Sequence, residues 1–123
     1  MSAAFLSELE ELGPPVYAVH GNMDEPAVRA ALPEARIVEA GAARIALVHD
    51  AGARAGREER LAARFPGCDA IVYGHTHAPQ VERHDGVWIL NPGSPTERRR
   101  SPARSMLLLR VGGALEPELA VLP

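Results

Sequence analysis

The chain has 123 residues, of which 46% are hydrophobic and 24% are charged, and these fractions are ordinary for globular proteins. The length fits one domain over residues 1–123, and the composition excludes a disordered or fibrous protein. The net charge of -3 provides no basic face for a nucleic-acid polymer, and no apolar run reaches the roughly twenty residues of a membrane span. We therefore expect a cytoplasmic protein that binds neither membranes nor nucleic-acid polymers.

The first half of the chain alternates helical and strand patterns. Apolar residues at helical spacing predict a helix over residues 2–12, and residues 16–19 are rich in strand-forming side chains. A polar turn follows, from which residues 26–32 resume as a helix. Residues 36–39 and 44–49 then predict two strands joined as a hairpin, which places His49 at the exit of the second strand.

The second half of the chain is richer in strands. Residues 58–65 predict a helix closed by Pro66-Gly67, and residues 69–73 form a continuous apolar strand. Two hairpins follow, over residues 80–90 and 106–122. Helices alternating with strands early and hairpins late predict an α/β fold, in which two mixed sheets pack together under flanking helices.

Nitrogen and oxygen ligands follow three of the predicted strands. Asn22 follows the first strand, His49 ends another, and His75 and His77 follow the apolar strand. A rigid sheet can build a metal site from side chains at strand ends that are distant in sequence. One such histidine alone would be read as an ordinary polar loop residue. The set of four favours a metal such as manganese, iron, cobalt, nickel or zinc over calcium or magnesium alone.

Four motifs carry a family resemblance: Gly21-Asn22-Met23-Asp24, Val48-His49-Asp50, Gly74-His75-Thr76-His77-Ala78-Pro79 and Asn91-Pro92-Gly93-Ser94-Pro95. In their order and approximate spacing, the chain resembles the calcineurin-like metallophosphoesterases, in particular the small prokaryotic YfcE-type phosphodiesterases. The resemblance covers nearly the whole chain. It implies an αββα sandwich and hydrolysis of phosphate esters, foremost phosphodiesters, through a dinuclear metal centre and an activated water.

The resemblance also implies a role for each ligand. Asn22, His49 and His75 would bind one metal ion, and His77 would bind the other. Asp24 would orient its own turn or a histidine from behind the ligands. The two divalent ions would be manganese, with nickel, iron, cobalt or zinc as alternatives, and the partner would be a small phosphate-ester substrate.

Other polar residues would support this site. Asn91 and Ser94 lie in a turn shaped by proline and glycine, where they would hold the backbone geometry near the metals. Arg54 and Arg57 are candidates for binding the phosphate of the substrate, although arginine-rich segments are more often solvated surface. Met23 stands where the wider superfamily often has a histidine that assists the leaving group, so no catalytic residue beyond the metal ligands is assigned.

Two motifs of the resembled family are absent, the Asp-x-His of its first strand and the Gly-Asp of its second. The fold would therefore lack its first β-α-β segment, and the activity of this exact chain is left open. One interpretation is an enzyme whose upstream strands were lost through a late start-codon assignment. A second is a non-catalytic scaffold, like the retromer subunit of this fold, although a scaffold has no need of four ligands. A third is a homo-oligomer, in which another chain supplies the missing strands.

Overall fold

The computed structural model describes residues 4, 7–8, 11–13, 15, 17–19, 26–27, 32–76, 78–94 and 104–123. Over these ranges, one eight-residue helix and seven strands in two sheets are described from end to end, and residues 4, 7–8 and 26–27 are also helical. In chain order the elements are β1 Ala35–Ala40, β2 Ala43–Val48, α1 Arg57–Arg64, β3 Ala70–Tyr73, β4 Gln80–His84, β5 Val87–Asn91, β6 Arg104–Val111 and β7 Leu115–Leu122.

The larger sheet is mixed and has the strand order β1-β2-β3-β5-β4. Its three central strands β2, β3 and β5 are parallel, and an antiparallel hairpin partner lies at each edge. Strands β6 and β7 form a separate antiparallel sheet. The predicted α/β fold with two sheets is therefore confirmed. The larger sheet is mixed as predicted, whereas the described part of the smaller sheet is antiparallel because its two strands form a hairpin. Since β2 and β3 run in the same direction, the residues that follow them lie at the same end of the sheet, beyond the carboxyl ends of the strands.

The core lies between the larger sheet and α1. Leu61 of α1 is 1% exposed, and it belongs to one buried cluster with Phe65, Ile71 and Ile89. β3 is buried along almost its whole length, which explains its continuous apolar sequence. Cys68 is buried beside this cluster, and loss of solvation raises the pKa of its thiol, so the thiol stays protonated and unreactive at neutral pH.

The turn between β4 and β5 explains the precise register of that hairpin. Asp85 and Gly86 both have positive φ, 49° and 82°, as the two central residues of a type I′ turn require. The register pairs His84 with Val87 and brings Gln80 opposite Asn91. This pairing places Gln80 and Asn91 at the end of the sheet where the candidate ligands lie.

Two sequence predictions at the N-terminus have different outcomes. Residues 17–19 carry no strand, contrary to the strand predicted over 16–19, because no described strand hydrogen-bonds to them and a strand exists only when it is paired. Ala4, Ser7 and Glu8 are helical, as predicted, and the rest of that predicted helix lies largely outside the described residues. In the described part of the chain, no helix is long and apolar enough to cross a membrane.

Candidate metal centre

His49 and His75 lie together at the carboxyl ends of β2 and β3. Val48 pairs with Tyr73 in the last register position, so the chain leaves both strands at the same level. The Gly74 N–H donates to the His49 carbonyl at 2.9 Å, which extends this pairing by one step beyond the strands. The two imidazole rings then face each other edge-on, with centroids 5.3 Å apart and an interplanar angle of 80°.

This ring geometry fits a shared metal ion. A metal–nitrogen bond of about 2.1 Å puts a ring centroid roughly 3.3 Å from the ion, so two such rings lie at most about 6.6 Å apart. The observed separation of 5.3 Å falls within that limit. His49 is half-buried and His75 is exposed, so the pair is open to solvent on one side. Among the described residues, no group of three or more histidine, cysteine or acidic side chains forms a complete site.

His75 has a strained backbone. Its φ is 72°, in the left-handed region that few residues other than glycine adopt. Such a conformation costs on the order of 1–2 kcal/mol for a residue with a Cβ, and strain of this kind concentrates at functional sites. The left-handed conformation of His75 turns the chain sharply just after β3. The His75 ring then lies next to the His49 ring.

Asn91 fixes the loop that contains His75. It is fully buried, and its Nδ2 donates to the Thr76 hydroxyl at 3.0 Å. Its Oδ1 accepts from the Gly93 N–H at 2.9 Å, and the Thr76 Oγ1 also accepts from the Ala78 N–H at 3.2 Å. Both ends of the carboxamide are therefore used within the protein. Asn91 therefore fixes the backbone of the loop that contains His75.

Ser94 and its neighbours connect this loop to the smaller sheet. The carbonyl of Ser94 accepts from the Ser105 N–H at 2.9 Å, and the Ser105 hydroxyl donates to the Pro92 carbonyl at 2.8 Å. Ser105, on β6, is 1% exposed. Gly93 lies directly against it, and a Cβ at Gly93 would overlap the Ser105 Oγ. The turn over residues 92–94 therefore joins the two sheets next to the candidate site.

The loop after His49 is held mainly by Arg60, with one local bond to the Asp50 carboxylate. Arg60 of α1 donates to the carbonyls of Ala51, Ala53 and Ala55 at 2.7, 2.5 and 3.2 Å. Asp50 accepts from the Gly52 N–H at 2.8 Å, which is a local turn bond. Through these hydrogen bonds, Arg60 and Asp50 stabilise the loop that follows His49.

Arg54 and Arg57, the candidate phosphate-binding residues, line a recess of about 410 Å³ that also reaches Thr76. The recess lies next to the loop of His75 because Thr76 is the following residue. Its other polar walls are Glu58, Tyr73, Gln80 and Glu82. Hydrogen bonds to its own backbone N–H and to Gln80 lower the pKa of Glu58, so this carboxylate stays charged at neutral pH.

Tyr73 and Gln80 belong to this recess but to none of the sequence motifs. The Tyr73 ring is buried, but its hydroxyl accepts from Arg57 Nη1 at 3.2 Å and donates to Gln80 Oε1. Gln80 in turn donates to Glu58 Oε1 at 3.0 Å. The one signal in the sequence was the position of Tyr73 directly before the Gly-His-Thr-His motif.

Three predicted site residues, Asn22, Asp24 and His77, lie outside the described residues. Val19 lines a recess of about 230 Å³ together with His49, Tyr73 and Gly74. The ligand roles of Asn22 and His77 therefore stay predictions from the resemblance.

The chain matches the family model of the calcineurin-like phosphoesterase superfamily domain over residues 1–113. It is 34% identical over 122 residues to a probable metallophosphoesterase of Methanothermobacter thermautotrophicus, covering 96% of this chain and 69% of that protein. It is 36% identical over 117 residues to one from Methanocaldococcus jannaschii, covering 93% of this chain. The chain spans 58% of that second relative, less than two thirds of its length.

Solved structures show the same fold. An NMR structure of a Thermotoga maritima protein superposes with a TM-score of 0.74 at 33% identity, covering 98% of this chain and 74% of that one. A crystal structure of Vps29 from Entamoeba histolytica complexed with zinc gives a TM-score of 0.73 at 25% identity, covering 98% and 76%. The family model matches most of the chain, and a relative that is 34% identical is covered to more than two thirds. The chain therefore belongs to the calcineurin-like phosphoesterase superfamily.

Proposed function

We propose that this protein is a metal-dependent phosphoesterase that hydrolyses phosphodiesters in preference to monoesters. The observation that carries the proposal is the meeting of the His49 and His75 rings, 5.3 Å apart, at the ends of two adjacent parallel strands. Family membership supports the interpretation of this histidine pair as part of a metal site, since probable metallophosphoesterases are among the relatives. Asn22 and His77 are proposed to complete the ligand set.

Two divalent ions at this site would polarise a phosphoryl oxygen and lower the pKa of a water molecule. Imidazole nitrogens suit manganese, iron, cobalt, nickel and zinc, and we propose manganese. The related Vps29 complexed with zinc supports a first-row divalent metal in this fold. His49 and His75 would bind one ion as neutral imidazoles.

The remaining contacts keep the two rings in place before substrate arrives. The Asn91 carboxamide hydrogen-bonds to Thr76, and Arg60 hydrogen-bonds to the loop that follows His49. The Gly74–His49 backbone bond fixes the relative height of the two strand ends. A site held this way needs little reorganisation when a phosphate ester binds, which favours catalysis.

We expect hydrolysis of bis-p-nitrophenyl phosphate to require manganese, to stop on addition of a chelator, and to exceed that of p-nitrophenyl phosphate. Calcium should not replace manganese, because calcium prefers an all-oxygen ligand set. The rate should be measured on the chain itself and on a version extended upstream in frame. The higher rate is expected for the extended version, if the extension supplies the absent aspartates.

Three outcomes would count against this proposal. Equal rates with and without the chelator would exclude metal-dependent hydrolysis. Faster hydrolysis of the monoester would exclude the diester preference. Tight manganese binding without turnover in either version would favour the non-catalytic scaffold.

A further inference from the structure

The recess beside Thr76 has the size and the polar walls of a small-molecule site. Its volume of about 410 Å³ lies within the range of roughly 300–1,000 Å³ that is typical for ligand pockets. It is next to the candidate metal centre in the chain, because Thr76 follows His75. It also shares Tyr73 with the smaller recess that His49 lines. A phosphate ester whose phosphorus lies at the histidines could extend its alcohol part into this space.

Arg57 contributes a positive charge that no carboxylate in the described chain neutralises by an ion pair. Its Nη1 donates to the Tyr73 hydroxyl and its Nη2 to the Gly52 carbonyl, both at 3.2 Å. Both acceptors are neutral oxygens. The Nε is buried and has no hydrogen-bond partner. A guanidinium has five N–H donors. Two are used in these bonds and the Nε–H is buried, so the second N–H of Nη1 and that of Nη2 remain for a ligand.

Neither of the two carboxylates that line the recess forms an ion pair with Arg57, although attraction to Arg57 contributes to the lowered pKa of Glu58. Glu58 is bound by Gln80 at 3.0 Å, and Glu82 is exposed on β4. The guanidinium of Arg57 is also fixed in position, because its Cζ lies 5.0 Å above the centroid of the Tyr73 ring. A pre-positioned planar guanidinium suits a carboxylate or phosphate, to which it can donate two parallel hydrogen bonds.

We propose that this recess binds a second anionic group, carried by the alcohol part of the phosphate ester, and that Arg57 is its main contact. The proposal rests on the proposed function, since it assumes that the reacting phosphate lies at the histidine pair. Arg54, which is exposed on the rim, adds a second positive charge. Substrates with an acidic alcohol part would therefore be preferred over neutral ones.

Two probe compounds that differ only in such a group test the proposal. Glycerol 3-phosphate and 3-phosphoglycerate are phosphate monoesters of similar size, and the second carries an additional carboxylate. As competitive inhibitors of the manganese-loaded protein, 3-phosphoglycerate should bind about tenfold more tightly, the effect of one charge-assisted hydrogen bond. Arg57→Gln should reduce this preference to less than about twofold.

Arg83→Gln is the matched control, since it removes the same charge from an exposed arginine on β4 that stacks on Trp88 outside the recess. It should keep the full preference. Arg57→Lys keeps the charge but not the planar fork, and it should retain an intermediate preference. It also provides a test if Arg57→Gln does not fold. A preference that survives in Arg57→Gln, or that Arg83→Gln also removes, would overturn the proposal.

Calorimetric titration of the same two probes separates this proposal from the proposed function. If the protein does not turn over any ester, the titration still reports whether the additional carboxylate binds and whether Arg57→Gln removes that binding. Loss of the preference in Arg57→Gln alone would support the anion subsite even without hydrolysis. Equal affinities of the unaltered protein for the two probes would exclude it even if hydrolysis is observed.

Discussion

Replacing His75 by alanine or by glycine is expected to reduce manganese-dependent hydrolysis of bis-p-nitrophenyl phosphate by at least about a hundredfold. Even residues that only orient metal ligands cost 10- to 100-fold when they are replaced, and loss of the ligand itself should cost more. The two variants should differ in stability, however. Glycine relieves the left-handed strain at φ 72° and alanine keeps it, so the glycine variant should be more stable by roughly 1 kcal/mol.

Steady-state rates and urea unfolding in the presence of a chelator measure the two effects separately. His84→Ala is the matched control, because His84 lies at the β4–β5 turn and contacts Asp85 at 3.5 Å. It should keep nearly full activity. Unchanged activity in both His75 variants would remove this histidine from the mechanism. Equal stability of the alanine and glycine variants would show that the backbone at this position is not strained.

Gly93→Ala is expected to destabilise the protein by about 3 kcal/mol. We expect no other glycine-to-alanine substitution among the described residues to cost more. The φ of 73° penalises any residue with a Cβ, by about 1–2 kcal/mol. The new Cβ would also overlap the Ser105 Oγ, a buried atom on the neighbouring sheet, and overpacking of this kind costs a further 1–3 kcal/mol or so. Urea denaturation at constant pH measures the total.

Gly67→Ala isolates the contribution of the backbone. Gly67 has a φ of 78°, but a Cβ there would meet no atom within 4 Å. This variant should lose only about 1 kcal/mol. Introducing Gly93→Ala into a Ser105→Ala background should lower its cost to a similar value, because the overlapping Oγ is then absent. If Gly93→Ala costs no more than Gly67→Ala, the turn over residues 92–94 does not pack on β6 as described.

The sequence was sufficient to predict most strands and the position of the histidine pair. Alternating and continuous apolar patterns located β1 to β7 to within a few residues, because burial of one or both strand faces determines those patterns. The positions of both histidines followed directly, since His49 ends one predicted strand and His75 lies two residues after another. The strand predicted over residues 16–19 failed because pairing partners, which the local pattern does not contain, decide whether an extended segment becomes a strand.

The contacts that support the site could not be predicted in the same way. The Asn91–Thr76 bond depends on the register of β4 with β5 and of β3 with β5, which no local pattern specifies. The bond from Arg57 to Tyr73 joins a helix to a strand 16 residues away. The left-handed φ of His75 is likewise a consequence of tertiary packing, because histidine on its own would favour an ordinary conformation.

We propose above all that His49 and His75 coordinate the same divalent ion. A crystal of the protein soaked in manganese, with anomalous diffraction collected at the manganese edge, tests it most directly. We predict an anomalous peak within coordination distance of one nitrogen of each imidazole, with Asn22 among the further ligands. A fully occupied manganese elsewhere, or two rings turned away from each other with no peak between them, would contradict the claim.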